Sequence, residues 1–271
     1  MAEAKTVMLS NGYQLRYRRY GSGPTIIFMH GYPETHAVFI NLMSKLADQY
    51  EVLAFDWPGM GGSEVWKGGS TPKSMGDRIA EIMKCLSIDQ AHLVAHDMGA
   101  QASLLCAAEH PEKVLSVCVS NSLLIHDAET SWEIKYLRNL RLNKFVLTYL
   151  PRVVFARAMG TFKSGRLNAS LKNEFWTYFK KKEVREYIIR MCFGYQAQLP
   201  RLPQYYSKID CPVLAIWSQE NKHFSLDHAQ KLQKLVKHTK IEMLEGGVHW
   251  IAHENPDEMA RILRVFLSKL A

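Results

Sequence analysis

The segment HLVAHDMGAQAS, residues 92–103, places an acidic side chain between an apolar run and a stretch with a helical pattern. A sharp turn from strand to helix needs small residues two positions on either side of its central residue, and Ala95 and Gly99 flank Asp97 at that spacing. Such a turn projects Asp97 from the edge of a sheet toward the amino end of a helix, where a carboxylate can act as a nucleophile. The simpler interpretation is that Asp97 only caps the helix.

Two other segments carry groups that such a nucleophile requires. MHGYPETHAVF contains an apolar run that ends in His-Gly, so the backbone N–H of Tyr32 can pair with that of Met98 to stabilise an oxyanion. GGVHWIAHENP follows the last apolar run and places His249 after small residues, in the order expected for a base that acts after Asp97; His253 is the alternative. The three segments together predict a catalytic site.

Apolar runs and helical patterns alternate along most of the chain, which predicts an α/β fold whose mostly parallel sheet has helices on both faces. The alternation stops near Ser122 and resumes at CPVLAIWSQ, and the intervening stretch has helical periodicity and no strong strand pattern. We therefore predict a core made of residues 1–124 and 209–271. Residues 125–208, called the insertion below, are predicted to lie over the carboxyl ends of the strands, where ligands bind in open sheets.

The charge of the chain is concentrated in this predicted insertion. The whole chain has a formal net charge of +8, whereas the stretch from Ser131 to Lys208 alone holds sixteen Lys and Arg against four Glu. A solvated helical surface explains this excess; attraction of anionic substrates, an acidic partner or a lipid surface is the alternative. Aromatic residues are not interleaved with the basic ones as base recognition requires, so the sequence does not predict nucleic-acid binding.

Nothing in the sequence indicates a metal, a cofactor or a membrane span. No pair of cysteines has the spacing of metal ligands, and all five lie in separate apolar runs, which predicts reduced thiols in a cytoplasmic protein. The amino-terminal residues lack the apolar core of a signal peptide, and no apolar run is long enough to span a bilayer. The five cysteines are Cys85, Cys106, Cys118, Cys192 and Cys211.

The motifs HGYPETHAVF, DWPGMGGSE, HLVAHDMGA, CPVLAIWSQEN and GGVHWIAHENP resemble those of the α/β-hydrolase family, in the same order. The resemblance is to the branch with an Asp nucleophile, which includes epoxide hydrolases and haloalkane and haloacid dehalogenases. It implies an α/β-hydrolase fold with the insertion as a helical cap. It also implies that Asp97 forms an alkyl ester with the substrate, and that His249 then activates water while the N–H groups of Tyr32 and Met98 hold the oxyanion.

The sequence departs from this branch at the acid that orients the catalytic histidine. Two positions can supply that carboxylate, and here they hold Asn121 and Asn221. Three interpretations remain open: Asn221 orients His249 through its amide oxygen, Glu220 or Asp127 replaces it, or the second step is disabled. The last would leave a protein that stalls as an ester, or a ligand-binding protein.

The resemblance implies that tyrosines of the cap donate protons to an opening epoxide, and Tyr195 and Tyr149 are the candidates. Haloalkane dehalogenases carry Trp beside the nucleophile, where Met98 stands, and no cationic residue follows Asp97 as haloacid chemistry expects. Epoxide hydrolysis is therefore favoured over dehalogenation, and an ester or lactone hydrolase with Asp97 as general base is a further alternative. The predicted substrate is a small apolar or anionic molecule contacted by His30, His96, Tyr149, Tyr195 and Trp250.

Overall fold

The structure is a computed structural model that describes residues 3–163 and 165–270. Eight strands form one sheet: β1 Lys5–Met8, β2 Gln14–Tyr20, β3 Thr25–Met29, β4 Glu51–Phe55, β5 Ala91–His96, β6 Val114–Ser120, β7 Val213–Ser218 and β8 Thr239–Leu244. Their order in the sheet is β1-β2-β4-β3-β5-β6-β7-β8. Strand β2 is antiparallel to β1 and β4, and every other neighbouring pair is parallel. The predicted α/β architecture with a mostly parallel sheet is confirmed.

Helices connect these strands, as parallel neighbours require. In the core they are α1 Ile40–Leu46, α2 Pro72–Cys85, α3 Met98–Glu109, α10 Asp227–Leu235, α11 Ile251–Glu254 and α12 Pro256–Leu267. Between β6 and β7 lie α4 Trp132–Leu137, α5 Leu140–Tyr149, α6 Pro151–Met159, α7 Ala169–Phe179, α8 Lys182–Gln198 and α9 Leu202–Tyr206. None of the helices formed by the described residues is long and apolar enough to cross a membrane.

The central strands are buried on both faces, which explains why they read as continuous apolar runs. Every residue of β5 and β7 is buried, and in β3 and β4 only the first residue is partly exposed. Helix α2 starts where the Thr71 hydroxyl accepts a hydrogen bond from the N–H of Ser74. Helices α2 and α3 pack against each other over one face of the central strands. They approach so closely at Gly76 that a Cβ there would lie 2.9 Å from Ala102 O.

The insertion begins its helices at side-chain caps. The side chains of Ser131, Asn139 and Asn168 accept hydrogen bonds from the first turns of α4, α5 and α7. The guanidinium of Arg78, on α2, donates to the hydroxyl of Tyr187, on α8, and so ties the insertion to the core. Short capped helices account for the helical pattern without strand character that the sequence shows between Ser122 and CPVLAIWSQ.

The carboxyl ends of β3, β5, β6, β7 and β8 meet at one edge of the sheet, because these strands are parallel and adjacent. Register pairs Met29 with Ala95 and His96 with Ser120, so the residues that follow β3, β5 and β6 lie side by side. The residues after β7 and β8 complete this edge, since Ser218 pairs with Leu244. The candidate site is built from these five strand ends.

Candidate active site

The turn at Asp97 is sharp and strained, as its position between strand and helix requires. Its backbone has φ +50° and ψ −123°, and α3 begins at the next residue. A Cβ on Gly99 would lie 2.4 Å from Met29 O, and one on Gly31 would lie 2.4 Å from the Asp97 Cβ. The hydroxyl of Ser122 donates to Asp97 O at 2.6 Å and holds the turn against β6. Small neighbours therefore allow the backbone to fold into this shape.

The two carboxylate oxygens of Asp97 have different surroundings. Oδ1 accepts a hydrogen bond from the N–H of Tyr32 at 3.1 Å, and the backbone N–H of Met98 lies close enough to the carboxylate to lower its pKa. Oδ2 lies 3.8 Å from His249 Nε2. The structure thus brings together four predicted site residues, with the Tyr32 donor at one carboxylate oxygen and the imidazole near the other.

Burial raises the pKa of Asp97 to about 6 from its usual value, and the backbone N–H groups of Tyr32 and Met98 offset part of that rise. The residue is only 9% exposed. Nearby Glu34 is fully enclosed, and burial together with the Asp97 charge holds its pKa well above the ordinary range. Asp97 is therefore the carboxyl of this pair that is ionised near neutral pH.

His249 sits among aromatic rings. The ring centroids of His96, Trp250, His223 and Phe224 lie 4.6, 4.8, 5.1 and 5.7 Å from its own. Its Nδ1 atom is buried and has no hydrogen-bond partner among residues 3–163 and 165–270. Burial, and then the neighbouring His96 and His223, hold the pKa of His249 well below its usual value. This imidazole is neutral at physiological pH and is not oriented through Nδ1.

The prediction that Asn221 orients His249 is wrong for the asparagine itself. Its amide donates to Phe224 O at 2.9 Å, and its Oδ1 accepts from the N–H of His223 at 3.2 Å, so both ends of the amide are used within its own loop. The two proposed substitutes point elsewhere as well. Glu220 pairs with Lys163 at 3.3 Å, and the Asp127 side chain is 77% exposed.

Asn121, at the other possible acid position, supports the backbone of the His249 loop. Its amide donates to Ser218 Oγ at 2.7 Å, to Val248 O at 3.0 Å and to His249 O at 2.8 Å, while its Oδ1 accepts from the N–H of Ser218 at 3.0 Å. The side chain is fully buried. Asn121 therefore fixes where His249 lies but does not contact its ring nitrogens.

Two adjoining cavities open on Asp97 beneath the insertion, with volumes of about 110 and 310 Å³. Tyr32, Ile134 and Phe224 line both. The smaller cavity also contains Tyr195, whose hydroxyl donates to Met98 O at 3.0 Å. The walls of the larger cavity are mostly apolar, with a polar group at one side: Glu133, Arg157, His223 and His249.

The other predicted substrate contacts divide into one that lines a cavity and three that do not. Trp250 lines the larger cavity, although its indole N–H donates to Thr161 Oγ1 at 2.8 Å. His30 is wholly buried, donates through Nδ1 to Gly31 O and accepts from the N–H of Trp57, so its role is structural.

His96 and Tyr149 also lie away from the cavity walls. The Nε2 of His96 is buried 3.4 Å from Glu34 Oε1, behind His249. Tyr149 is 70% exposed and packs against Phe145 with its ring tilted, at the outer surface of the insertion. His30, His96 and Tyr149 therefore do not line either cavity, unlike the predicted contacts Tyr195 and Trp250. Helical and strand patterns give position along the chain but not the direction of a side chain.

Three residues near the site were missed from sequence. His223 contacts His249, and its only sequence signal is its place two residues after Asn221. Glu133 and Arg138 belong to the insertion, whose residues could not be placed relative to Asp97 before the fold was known. Charged residues in a helical stretch are usually solvated, so the residue types alone did not indicate that these side chains lie at the site.

Comparison with known proteins gives a consistent result. The family described as alpha/beta hydrolase fold matches residues 24–256. A fluoroacetate dehalogenase from Burkholderia sp. is 25% identical over 92% of this chain and 88% of that protein, and a soluble epoxide hydrolase from Corynebacterium sp. is 22% identical over 91% of each.

Other comparisons are shorter or structural. The acetyltransferase component of the acetoin cleaving system of Cupriavidus necator is 34% identical, but the match covers 45% of this chain and only 33% of that protein. A solved structure of a putative epoxide hydrolase from Pseudomonas aeruginosa superposes with a TM-score of 0.86 at 19% identity, covering 99% of this chain and 96% of that one.

Proposed function

This chain belongs to the α/β-hydrolase-fold family. From that premise we propose that it is a hydrolase with Asp97 as nucleophile, and that its substrate is an epoxide with a largely apolar carbon skeleton. One observation carries the proposal. The N–H of Tyr32 holds one carboxylate oxygen, while the other lies near His249, and Asp97 lines both cavities. A carboxylate bound in this way can attack through its free oxygen without losing a proton first.

In the first step, Asp97 Oδ2 bonds to an epoxide carbon, and the electrons of the breaking C–O bond stay on the epoxide oxygen. That oxygen takes the proton of the Tyr195 hydroxyl, which turns from Met98 O toward the substrate. The product is a hydroxyalkyl ester of Asp97. Burial raises the pKa of Tyr195 well above its usual value, so the phenol is protonated before the step.

In the second step, His249 Nε2 removes a proton from water, and the hydroxide attacks the ester carbonyl carbon. The carbonyl oxygen is Oδ1, which already accepts the N–H of Tyr32, and the nearby N–H of Met98 is the second donor that the oxyanion would recruit. Collapse of this intermediate releases an alkoxide that recovers the proton from His249. The proton of the Asp97 carboxyl returns through water to the Tyr195 phenolate, which closes the cycle.

The same geometry indicates that the second step is slow. A histidine that must become cationic needs an acceptor for its other N–H, and His249 Nδ1 has none among the residues that the structure describes. Two neighbouring imidazoles, His96 and His223, oppose its protonation further. We therefore expect the ester to form readily and to break down slowly.

The positive charge of Arg138 favours a substrate that carries an anionic group some way from the carbon that reacts. Arg138 lines the smaller cavity together with Asp97, and burial lowers the pKa of its guanidinium. Its Nε donates to Gln196 Oε1 at 3.1 Å and its Nη1 to His126 O at 3.2 Å, which leaves further N–H groups for a ligand. Both partners are neutral, so a carboxylate on the substrate would supply the missing counter-charge.

Dehalogenation is the weaker candidate for this site. A halide leaving group is stabilised by N–H donors, and the tryptophan beside His249 already gives its N–H to Thr161. Tyr195 offers an O–H instead, which suits the alkoxide of an opening epoxide. A ligand-binding role with no chemistry remains the alternative of a different class, supported by the unpartnered Nδ1 of His249.

The experiment that tests the proposal is intact mass spectrometry after exposure to a panel of terminal epoxides, with and without a carboxylate on the alkyl chain. We expect wild type to gain the mass of one epoxide, mapped by peptide sequencing to Asp97, and His249→Gln to retain that adduct longer. Asp97→Asn should gain nothing. Asn173→Asp, which adds a carboxylate at an exposed position of α7, is the control for non-specific alkylation. Absence of an adduct and of diol from wild type, or an adduct on Asp97→Asn as well, would overturn the proposal.

A further inference from the structure

An exposed surface of the insertion combines large apolar and basic side chains. Of the twelve large apolar side chains that are exposed among the described residues, six lie within the stretch from Trp132 to Val153. They belong to α4, α5 and α6 and the turn between the last two, and they define what is called the α4–α6 face below. Its apolar members, with their exposed fractions, are Trp132 70%, Tyr136 49%, Phe145 51%, Tyr149 70%, Leu150 43% and Val153 63%.

The members of the α4–α6 face are close together in space. Trp132, Tyr136 and Val153 line the same cavity, although they come from two helices. Phe145 and Tyr149 contact each other one turn apart on α5, with ring centroids 5.2 Å apart. Part of the face, made of Trp132, Tyr136 and Val153, therefore forms a wall of the larger cavity. Monomeric proteins rarely leave so many large apolar side chains side by side in water, which indicates a partner.

Basic side chains accompany these apolar groups, and acidic ones do not. The stretch from Trp132 to Arg157 holds six Lys and Arg against one acid, Glu133. That acid is partly buried and is already paired with Arg157. Five of the six cations are exposed, namely Lys135, Arg141, Lys144, Arg152 and Arg157. The same helices thus expose aromatic and aliphatic groups together with an excess of positive charge.

We propose that the α4–α6 face docks on an anionic lipid surface. Tryptophan and tyrosine are suited to the level of the headgroups, phenylalanine, leucine and valine to the acyl boundary just below, and lysine and arginine to anionic headgroups. A second copy of this chain is a poor occupant, because two faces with the same positive charge would repel each other. Docking in this way turns the mouth of the larger cavity toward the lipid, so that an apolar substrate can enter from the membrane.

The test is sedimentation of the full chain with vesicles made of phosphatidylcholine alone, or of roughly two parts phosphatidylcholine to one part phosphatidylglycerol. We expect binding to the anionic vesicles and at least about tenfold weaker binding to the neutral ones. Added salt should release the protein once the Debye length has fallen below roughly 5 Å. Binding does not depend on Asp97, so Asp97→Asn should sediment like wild type. Failure of this docking and failure of the proposed chemistry are therefore separate results.

Paired substitutions identify the face. Trp132→Ser with Tyr149→Ser should weaken binding to anionic vesicles by about tenfold or more, and Lys135→Gln with Lys144→Gln by a similar factor. The matched controls are Val65→Ser with Phe193→Ser, and Lys237→Gln with Lys240→Gln, which are exposed positions outside the face. Thermal unfolding should be unchanged in all four, since every position is exposed.

Three results would overturn the proposal. Wild type could fail to sediment with the anionic vesicles, or sediment equally with both compositions. The control pairs could lose as much binding as the face pairs. Analytical ultracentrifugation without lipid could show a dimer that the face pairs dissociate, which would assign the face to self-association instead.

Discussion

At the scale of single residues, the different surroundings of the two carboxylate oxygens of Asp97 distinguish a nucleophile from a general base. A general base would use an oxygen to receive a proton, and nothing would require backbone donors on the other oxygen. A nucleophile that becomes an ester does require them, because the held oxygen becomes the carbonyl oxygen that water attack converts to an oxyanion. The N–H of Tyr32 on Oδ1, with His249 facing Oδ2, fits the second role.

The raised pKa of Asp97 predicts a cost in stability and a pH dependence. Since its folded pKa of about 6 lies above its unfolded value, the folded chain is stabilised at acid pH and loses that contribution as pH rises through about 6. Asp97→Asn should therefore unfold with a free energy about 2–3 kcal/mol higher than wild type at about pH 8, and with little difference at about pH 4. Urea titrations of both proteins at each pH measure this difference and cancel the effects of the buried histidines.

Ester formation should show the same ionisation with the opposite consequence. It needs the charged carboxylate, so its rate should fall about tenfold per pH unit below pH 6.

In the urea titrations, an Asp97→Asn variant no more stable than wild type at the higher pH would show that the carboxylate is not desolvated as described.

Asn221 offers a second prediction at this scale. A carboxylate at this position cannot donate to Phe224 O, and that carbonyl would repel it, whereas the unpartnered N–H of His249 would attract it. We expect Asn221→Asp to speed breakdown of the Asp97 ester by about tenfold or more, up to the roughly 10⁴ that an orienting carboxylate contributes in serine hydrolases. Stopped mixing followed by intact mass gives the rate. Glu220→Gln, which changes a charge in the same loop, is the control; equal rates in Asn221→Asp and wild type would mean that position 221 cannot reach the imidazole.

At the scale of elements, the strand ends were predictable because each buried strand is an apolar run with a turn after it. Asp97, Tyr32, Met98 and His249 were placed correctly at those ends by spacing alone. The residue that orients His249 could not be placed in this way, because Asn121 and Asn221 both follow strands. Only the directions of their side chains show that both amides donate to backbone carbonyl groups instead. Sequence order therefore gave the edge of the sheet but not the contacts across it.

The junction of β6, β7 and the His249 loop depends on the amide of Asn121. Asn121→Asp would set a carboxylate against Val248 O, His249 O and Ser218 Oγ, so two carbonyls would face a negative charge where they now receive hydrogen bonds. We expect this variant to lose about 3 kcal/mol or more of unfolding free energy and to be unable to restore an orienting acid. Urea unfolding measures the loss, with Asn173→Asp as the surface control. A loss within about 0.5 kcal/mol of that control would contradict the assigned bonds.

At the scale of the whole molecule, the alternating pattern and the basic stretch marked the core and the insertion, but not how they pack. The α4–α6 face needed coordinates, because periodicity marks a buried side of a helix without saying which side that is. The same holds for Arg138, which a helical pattern treats as a surface residue and the fold places against a cavity. Long-range packing supplies this information, and a single sequence does not carry it in its local pattern.

Attachment of the insertion to the core can be tested at Arg78. The residue is only 3% exposed, and its guanidinium donates to Tyr187 of α8 and to Gly69 O of the loop before α2. Arg78→Met should lower the unfolding free energy by about 3 kcal/mol, since buried acceptors lose their donor. Lys182→Met, at an exposed end of α8, should change it by less than about 0.5 kcal/mol. Equal urea midpoints for the two variants would show that Arg78 does not join the insertion to the core.

The central claim is that Asp97 is the nucleophile, and labelled water tests it most directly. Wild type in excess over an epoxide that alkylates it would react in water enriched in ¹⁸O, so that each molecule turns over at most once. Because water attacks the ester carbonyl, the label should appear in the Asp97 carboxylate, read from its peptide mass, and the diol should carry an unlabelled oxygen from Asp97. Label in the diol with an unlabelled Asp97 peptide would contradict the claim.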